Sequence, residues 1–372
     1  MKNALLLIAL LIVIAMTTLW VRHGGGTLYS DLNSTPQISS DALETVLNYP
    51  EPIGNVAVSS SGRLFFTVHP ESRTTGNKLL EFVDGASVPF PSLALQDELF
   101  DTPLGLVIDR FDRLWVIDHG NHGARAAHIV AIDLVIGDVI RNQNLGEQIA
   151  PLGSFLQDLQ VSADGQTIVV ADASFWRKSP GLIVYDIETG NARRVLDGHE
   201  SVSAENYVIE TNGRKMAFLG GAVALRGGVD GIALGPEWLY YGALSGSGLW
   251  RVRLEDLRNE ELPAGQLANR AERFSDKPLS DGFSIDKDGG VYLTDIEHAS
   301  IFRIDASKKL QTLIQSPKIR WPDGLSFGPD GYLYLADSAL PELILKSHEH
   351  IKAEGPYQIY RFEPGHEGVP GQ

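Results

Sequence analysis

One phrase, two short apolar runs around a tight turn, recurs six times along this chain and constrains the fold more than any other feature. Two copies read DGFSIDKDGGVYLTD and DGLSFGPDGYLYLAD. An Asp-Gly or similar turn between two apolar runs is a strong hairpin signal, so each copy predicts two antiparallel strands. The copies begin at Gly54, Leu104, Gln157, Asp230, Asp281 and Asp323.

A third apolar run follows every copy, and a less regular fourth run follows most of them. The third runs are KLLEFV, HIVAID, LIVYDI, GLWRVR, SIFRID and QIYRFE. Four antiparallel strands repeated six times at intervals of 42 to 73 residues are typical of a six-bladed β-propeller. A β-sandwich would not need six matched copies.

The two ends of the repeat region indicate how the ring closes. The last copy lacks a fourth run, whereas an isolated β-like run, LETVLNY at residues 43–49, precedes the first copy. We therefore predict an all-β fold, a six-bladed β-propeller whose N-terminal strand completes the last blade. Such closure removes the exposed sheet edges that favour aggregation.

The N-terminus has the layout of a targeting segment. Lys2 precedes an apolar run at residues 4–21, and Arg22 and His23 end it. A signal peptide and an uncleaved membrane anchor both fit this pattern. We assign residues 1–23 to this segment, residues 24–42 to a linker and residues 43–372 to the propeller, which we expect to be secreted or periplasmic, or anchored to the inner membrane.

Composition and charge narrow the class of partner. The chain is 43% hydrophobic and 21% charged, with 38 glycines and no cysteine, so it is globular and has no disulfide framework. Its net charge of −16 argues against nucleic acid, which requires a basic face. We expect a neutral or cationic small-molecule ligand, and membrane contact only through the N-terminal segment.

The repeat also locates a candidate site. In each blade the start of the first strand and the end of the second lie at one face, around one mouth of the central channel. The first residues of the copies, here called leading residues, meet there. So do four aspartates that end second strands, here called closing aspartates: Asp118, Asp172, Asp295 and Asp337.

Three consecutive blades have an aspartate as leading residue: Asp230, Asp281 and Asp323. Carboxylates so close together either share protons or hold a cation. Oxygen ligands without cysteine favour Ca²⁺ or another divalent cation such as Mg²⁺. Alternatively, each aspartate caps its own turn through backbone N–H groups.

Other polar and aromatic side chains are predicted at the same mouth. His119, Glu297 and His298 are candidate acids or bases for catalysis, although loop histidines often have no such role. The candidate ligand-binding residues are Asp118, Trp176, Asp295, Trp321 and Asp337. The closing aspartates are alternatively blade-building residues, and Trp321 alternatively packs between blades.

The longest interval between copies contains an insertion at residues 197–228. Asn212-Gly213 lies between two apolar runs and predicts a hairpin. Insertions of this length are often lids or binding loops, and a solvated surface hairpin is the alternative.

Several of these segments resemble the major royal jelly protein/Yellow family. The likeness is carried by DRLWVIDHG from Asp112, by GLIVYDIETGNARRVL before the insertion, and by GVDGIALGPEWLYYGALSGSGLWRV after it. The resemblance implies a secreted six-bladed propeller. Some members of that family are linked to dopachrome conversion and others bind small amines, and the family offers no single catalytic set.

The chain is more distantly similar to the gluconolactonase/regucalcin propellers, which hold a divalent metal through Glu, Asn and Asp. Asp230, Asp281 and Asp323 match the position of such ligands, whereas Gly54, in place of Glu, departs from the pattern.

Two functions follow from these resemblances, and a third follows from the propeller fold, which hosts many unrelated functions. The first is binding, with isomerisation if the protein is an enzyme, of a small aromatic or amine-type molecule at the channel mouth. The second is metal-dependent hydrolysis of a lactone or ester. The third is a non-catalytic interaction scaffold.

Overall fold

Short strands grouped in fours form the body of the molecule in a computed structural model, which describes residues 2–372. The strand β1 (Glu44–Tyr49) precedes the first blade. The first three blades are formed in chain order by β2 (Ile53–Val58), β3 (Leu64–Val68), β4 (Leu79–Val83), β5 (Ala86–Pro89); β6 (Pro103–Ile108), β7 (Arg113–Asp118), β8 (His128–Asp133), β9 (Val139–Asn144); β10 (Leu156–Val161), β11 (Thr167–Asp172), β12 (Gly181–Asp186) and β13 (Ala192–Val195).

Two short strand pairs form the insertion, and three blades follow it. The insertion contains β14 (Glu210–Thr211), β15 (Arg214–Lys215), β16 (Ala217–Phe218) and β17 (Val223–Ala224). The last three blades are formed by β18 (Val229–Leu234), β19 (Trp238–Ala243), β20 (Gly248–Arg253), β21 (Glu272–Asp276); β22 (Phe283–Ile285), β23 (Val291–Asp295), β24 (Ser300–Ile304), β25 (Leu310–Gln315); β26 (Pro322–Phe327), β27 (Leu333–Asp337) and β28 (Tyr357–Phe362).

The helices of the described chain are short except for the first. They are α1 (Lys2–His23), α2 (Gln96–Leu99), α3 (Gly120–Gly123), α4 (Leu254–Arg258), α5 (Ala264–Ala268) and α6 (His348–Ala353). The segment Asn3–His23 is long and apolar enough to cross a membrane, and its most apolar 18-residue window has a mean hydropathy of 2.8. It fits a signal peptide or an anchor.

The six blades form a closed ring, as predicted. Each first strand contacts the first strand of the next blade, and β26 contacts β2. The last blade has the order β1-β28-β27-β26, so the N-terminal strand completes it. Glu44 pairs with Arg361 and Tyr49 with Tyr357 in this antiparallel contact. The predicted closure of the ring is confirmed.

The hydrophobic core lies between blades rather than within any one of them. Val107, Trp115 and Ile129 of the second blade share a buried cluster with Val170 and Ile183 of the third. Because both faces of an inner strand are covered by neighbouring blades, strands such as β6 and β11 are buried at every position. This explains why the repeated phrase is so rich in apolar residues.

The recurring Asp-Gly pair has a packing reason. A Cβ at Gly231 would overlap the carbonyl oxygen of Asp281 in the next blade, and a Cβ at Gly282 would overlap that of Asp323. Glycine therefore lets the first strands of adjacent blades approach at the leading position. The glycine is therefore required for the contact between blades, whereas the side chain of the aspartate before it can line the channel mouth.

The two channel mouths differ. At the mouth opposite the leading residues, Gly371 and Gln372 exchange backbone hydrogen bonds with Phe327, and Ile108 donates one to Gly371. Residues near the C-terminus thus cover that mouth, which the sequence did not indicate. A cavity opens at the mouth formed by the leading residues.

The predicted linker, residues 24–42, lies against the propeller. Ile38 donates its N–H to Leu313 at 2.8 Å, and the Asn33 side chain donates to Asp295 at 2.9 Å. The predicted hairpin of the insertion is present, with β14 and β15 joined through Asn212-Gly213, both at positive φ.

Candidate functional site

A cavity of about 390 Å³ opens at the mouth formed by the leading residues. Its wall is mainly apolar and comes from several blades and loops: Phe155, Phe175, Trp176, Phe218, Leu219, Val223, Leu225, Leu244, Leu340, Ile344 and Leu345. Its polar lining is confined to a few side chains, namely His69, Glu71, Arg73, His122, Gln157, Asp230 and Asp281. Apolar walls with a few convergent polar groups are typical of small-molecule sites.

The insertion supplies much of that wall. Phe218, Leu219, Val223 and Leu225 all belong to it. Its hairpin is fixed to the body because Glu297 accepts the N–H of Glu210 at 2.7 Å and Arg214 bonds Glu342 at 2.9 Å. The insertion is therefore part of the cavity rather than a solvated surface hairpin.

The three leading aspartates are buried, with 2%, 9% and 7% exposure for Asp230, Asp281 and Asp323. Burial raises the pKa of Asp230 and Asp323 well above its usual range, and the nearby Asp281 carboxylate raises both further. Asp230 and Asp281 line the cavity. Asp323 does not; its Oδ2 lies 3.8 Å from His69 Nε2.

Asp281 is the leading aspartate with the most support for a negative charge. The Trp321 indole N–H donates to Asp281 Oδ2 at 2.6 Å. Burial raises the pKa of Asp281 to about 6, and the Trp321 bond and the Lys277 ammonium oppose that increase. Of the two leading aspartates that line the cavity, Asp281 therefore ionises more readily, whereas Asp230 keeps its proton more strongly.

A divalent cation would need ligand atoms that converge. A Ca²⁺ ion holds its oxygens at about 2.3–2.6 Å, so that two ligands of one ion lie no more than about 5 Å apart. Among residues 2–372, two sets of three ligand atoms lie within 4.8 Å of one another, and both are elsewhere: Asp31, Asp295, His298, and Glu342, His350, Glu354. Since one Asp281 oxygen also accepts from Trp321, the leading aspartates in this arrangement do not fit a closed three-carboxylate site.

Two histidines and one glutamate connect the floor to the cavity wall. His69 Nδ1 accepts the N–H of Glu71 at 3.1 Å, so the neutral ring has its proton on Nε2, the nitrogen that faces Asp323. Burial lowers the pKa of His69 to about 4. His122 Nε2 lies 2.8 Å from Glu71 Oε1, and both of these side chains line the cavity.

His119, a predicted catalytic residue, is next to this group without lining the cavity. It is 1% exposed, and its Nδ1 accepts the N–H of His122 at 2.9 Å. Burial lowers the pKa of His119 to about 3, with His122 adding to the effect. The ring therefore stays neutral and supports the loop that presents His122.

His298 and Glu297, the other predicted catalytic residues, lie outside the cavity lining. His298 Nδ1 bonds Asp295 Oδ2 at 3.0 Å, and this bond raises the pKa of His298 to about 9 despite burial. Burial raises the pKa of Glu297 to about 7. The structure does not bring this pair together with His119.

Each closing aspartate has its carboxylate bonded to nearby groups. Asp118 accepts the N–H of Thr102 at 3.0 Å, and Asp337 accepts that of Trp321 at 2.7 Å. Both thus hold the loop that leads into the first strand of their own blade. Asp295 instead accepts from the His298 N–H at 3.2 Å and from Asn33. None of these three lines the cavity.

The two predicted aromatic residues have different environments. Trp176 is 48% exposed and lines the cavity, with its ring centroid 4.8 Å from that of Phe175. Trp321 is completely buried, and its bond to Asp281 fixes that carboxylate. Trp176 can therefore contact a ligand directly, whereas Trp321 acts through Asp281.

Sequence reasoning missed His69, Glu71, Asp158 and Lys277. The repeat could have identified His69. FTVHP in the first copy aligns with VIDHG in the second, so that His69 occupies the position equivalent to His119. Burial raises the pKa of Asp158 to about 8 and lowers that of Lys277 to about 7. Asp158 had a detectable signal, because it occupies the second position of its copy, where four other copies have glycine. Lys277 lies before the copy that begins at Asp281, and no repeat pattern marks it.

Comparison with known proteins supports the family resemblance seen in the sequence. A family model described as major royal jelly protein matches residues 102–360. Major royal jelly protein 3 of Apis mellifera is 24% identical over 219 residues, which are 55% of this chain and 38% of the bee protein. The chain thus matches about two fifths of the length of that relative.

Solved structures share the fold at low identity. A gluconolactonase from Xanthomonas campestris has a TM-score of 0.53 and 15% identity, with 86% of this chain and 88% of that chain covered. The calcium-binding protein regucalcin from Agrobacterium tumefaciens has a TM-score of 0.54 and 13% identity, with 88% and 96% covered. These likenesses show the propeller fold.

Proposed function

The chain belongs to the major royal jelly protein family, and on that premise we propose that its propeller binds a small, mainly apolar organic molecule whose amine or other donor group reaches Asp281 and Asp230. The observation that carries this proposal is the cavity itself, which has apolar walls above two buried carboxyl groups. An aromatic or aliphatic body would bury its surface against Phe155, Phe175 and Trp176.

Asp281 is the counter-charge in this proposal. The Trp321 indole N–H donates to Oδ2 of Asp281, so Oδ1 of the same carboxylate remains available to a ligand. Asp230 Oδ2 is buried and has no hydrogen-bond partner among the described residues. A buried polar atom without a partner is costly, and a ligand donor or acceptor at this point removes that cost. A protonated amine would gain most, because it pairs with the ionised Asp281 in a site of low dielectric constant.

Isomerisation of the bound molecule would require a group that takes up and returns a proton. Asp281 is the cavity-lining carboxyl group with a pKa near 6, within reach of neutral pH. We assign that role to Asp281 if the protein is an enzyme. His119 and His298, proposed from the sequence, do not line the cavity.

A metal-dependent lactonase remains the second candidate, because two proteins of the same fold are described as a gluconolactonase and a calcium-binding protein. Asp230, Asp281 and Asp323 would be the residues of this chain to hold the cation. Their present spacing and the Trp321 bond count against it.

Calorimetric titration with three probes of similar shape tests the first proposal: phenethylamine, 2-phenylethanol and 3-phenylpropionate. We expect the amine to bind best and the carboxylate not at all. Asp281→Asn should weaken amine binding about ten- to hundredfold, the effect of losing one charge-assisted hydrogen bond of about 1.5–3 kcal/mol. Amine binding should also fall as the pH drops through about 6, where Asp281 takes up a proton.

Asp288→Asn is the matched control, since Asp288 lies in the turn of the same blade on the opposite face and is exposed. It should bind the amine like the parent protein. Equal affinity for all three probes would refute the role of Asp281. Loss of binding after dialysis against EDTA, restored by Ca²⁺, would favour the metal-dependent candidate.

A further inference from the structure

We infer that the protein keeps α1 as a membrane anchor, that the propeller face with the cavity mouth lies on the membrane surface, and that the cavity takes its ligand from the lipid leaflet. The ligand class is then a lipophilic molecule with a polar or cationic end. This inference deepens the proposed function and rests on it for the chemistry of the cavity floor.

The first observation is where α1 ends. His23 is 5% exposed, and its ring lies 5.8 Å from Phe175 and 5.6 Å from Trp176 between centroids. Phe175 and Trp176 line the cavity. The end of the apolar helix is thus packed directly beside the cavity mouth, and no spacer separates the two.

Hydrogen bonds fix the same junction. Arg22 donates to the carbonyl of Arg177 at 2.8 Å, and Arg226 donates to the carbonyl of Gly24 at 2.7 Å. A signal peptidase needs an accessible, extended chain, whereas this junction is helical and then buried at His23 and Gly24. A mainly apolar helix of 21 residues is long enough to cross a bilayer of about 30 Å, so this face must lie close to the lipid.

The second observation is the apolar rim of the mouth. Trp176, Leu219 and Leu345 line the cavity and are also 48%, 61% and 68% exposed. Leu219 and Leu345 have φ values of 51° and 58°, a left-handed conformation that costs of order 1 kcal/mol or more for such a residue. Exposed leucines and a tryptophan around one opening are typical of residues at a membrane interface.

The third observation is a group of cations at the helix end. Arg22, Lys178 and Arg226 line a smaller cavity there, together with Glu205, whose carboxylate accepts from the Ser247 hydroxyl at 2.9 Å. Lys178 donates to the carbonyl of Arg226 at 2.9 Å, and Arg22 and Arg226 also donate to carbonyls. Within residues 2–372, none of these three forms an ion pair with a carboxylate. In a protein with a net charge of −16, an unpaired basic group at the membrane end of an anchor fits anionic lipid headgroups.

These observations give one geometry. The cations lie at the headgroups, the three rim residues enter the interface, and the cavity opens toward the acyl chains. A lipophilic molecule could then enter without crossing water, with its apolar part against Leu219 and Leu345 and its polar end at Asp281. The apolar walls of the cavity match this route.

The absence of cysteine makes a direct test possible. The full chain is reconstituted in lipid nanodiscs that contain phosphatidylglycerol, with one nitroxide label on Leu219→Cys, Leu345→Cys or Val135→Cys. Val135 is the matched control because it is 79% exposed and lies in the turn after β8, on the opposite face. Collision rates are measured with oxygen, which concentrates in lipid, and with a water-soluble nickel complex.

We expect labels at 219 and 345 to collide several-fold more with oxygen than with nickel, and the label at 135 to show the reverse. Equal access of nickel to all three labels would overturn the inference. Protection of 219 and 345 from both reagents would also overturn it, because a protein partner would then cover the rim. Recovery of the cellular protein without residues 1–23, as measured by mass spectrometry, would overturn it as well.

The proposed function can be refuted independently of the membrane inference. Phenethylamine binding in detergent solution tests the cavity floor and is independent of orientation. If the amine binds but the rim labels are in water, the membrane inference is wrong and the binding proposal stands. If the labels are in lipid but no amine binds, the binding proposal is wrong and the membrane orientation stands.

Discussion

The three leading aspartates share one position in the repeat but differ in their side-chain contacts. Asp281 bonds Trp321, Asp323 faces His69, and Asp230 Oδ2 has no partner within the described chain. Equivalent backbone positions thus have different hydrogen-bond partners, and the pKa of Asp281 is raised only to about 6, whereas those of Asp230 and Asp323 are raised well above their usual range. At the scale of single residues, the neighbour from the adjacent loop decides the chemistry, not the repeat.

Asp230→Asn should change how stability depends on pH. Burial raises the pKa of Asp230, so the folded state holds a proton that the unfolded chain loses above pH of about 4. The stabilising contribution of that proton is complete below this pH and declines as the pH rises toward the folded pKa. The variant has no such loss, so its melting temperature should gain on that of the parent between pH 5 and pH 8.

Thermal denaturation at several pH values measures this difference. Asp288→Asn, a substitution at an exposed residue, serves as the control. Its melting temperature should differ from that of the parent protein by the same amount at every pH. If the Asp230→Asn difference is also constant, the Asp230 carboxyl group is not held protonated by its surroundings.

At the scale of elements, the closing aspartates join strands to loops, and β1 joins the two ends of the chain. Asp118 and Asp337 each bind backbone N–H groups of the loop before the first strand. The β1 strand places Leu47, 4% exposed, in a cluster that includes Ile53, Tyr357 and Ile359. This cluster connects the first blade with the last.

Deletion of residues 42–50 should therefore destabilise the whole ring. The milder variant Leu47→Ala should cost about 2–5 kcal/mol, the usual effect of truncating a buried leucine, and lower the melting temperature by about 3–7 °C. Thr45→Ala is the control, because Thr45 is exposed on the same strand. A deletion variant that melts with the parent protein would show that β1 is not needed for closure.

At the scale of the whole molecule, the ring is self-contained and α1 projects from it. Residues 3–18 of the helix are exposed along their whole length, whereas His23 and Gly24 are buried at the cavity mouth. The ring closes through β1 and β28 and does not depend on the helix. In the membrane inference above, the helix anchors and orients the propeller and does not contribute to its fold.

Removal of residues 2–18 should leave the propeller folded, with a melting temperature within about 3 °C of the full chain in the same detergent, since exposed positions contribute little. His23→Ala should cost more than this deletion, because it removes a buried ring between Phe175 and Trp176. Circular dichroism melts compare the two variants. A large loss of stability on deletion of residues 2–18 would mean that the helix packs on the ring.

Much of the fold followed from the sequence because its causes are local. Alternating apolar runs, Asp-Gly turns and the count of strands predicted six blades, and the orphan run at residues 43–49 predicted the closing strand. The hairpin at Asn212-Gly213 was predicted for the same reason. Each of these features depends on residues close together in the chain.

The tertiary structure decided what the channel mouth contains. Ring geometry brings His69, Gln157, Asp230 and Asp281 to one cavity from four different blades, and places Glu297 and His298 outside the cavity lining. A side chain's distance to others in a ring depends on loop paths and on the packing of neighbouring blades, which no local pattern encodes. The sequence by itself determined the blades and their order, whereas only the packed ring determined which acids share a cavity and which of them keeps its charge.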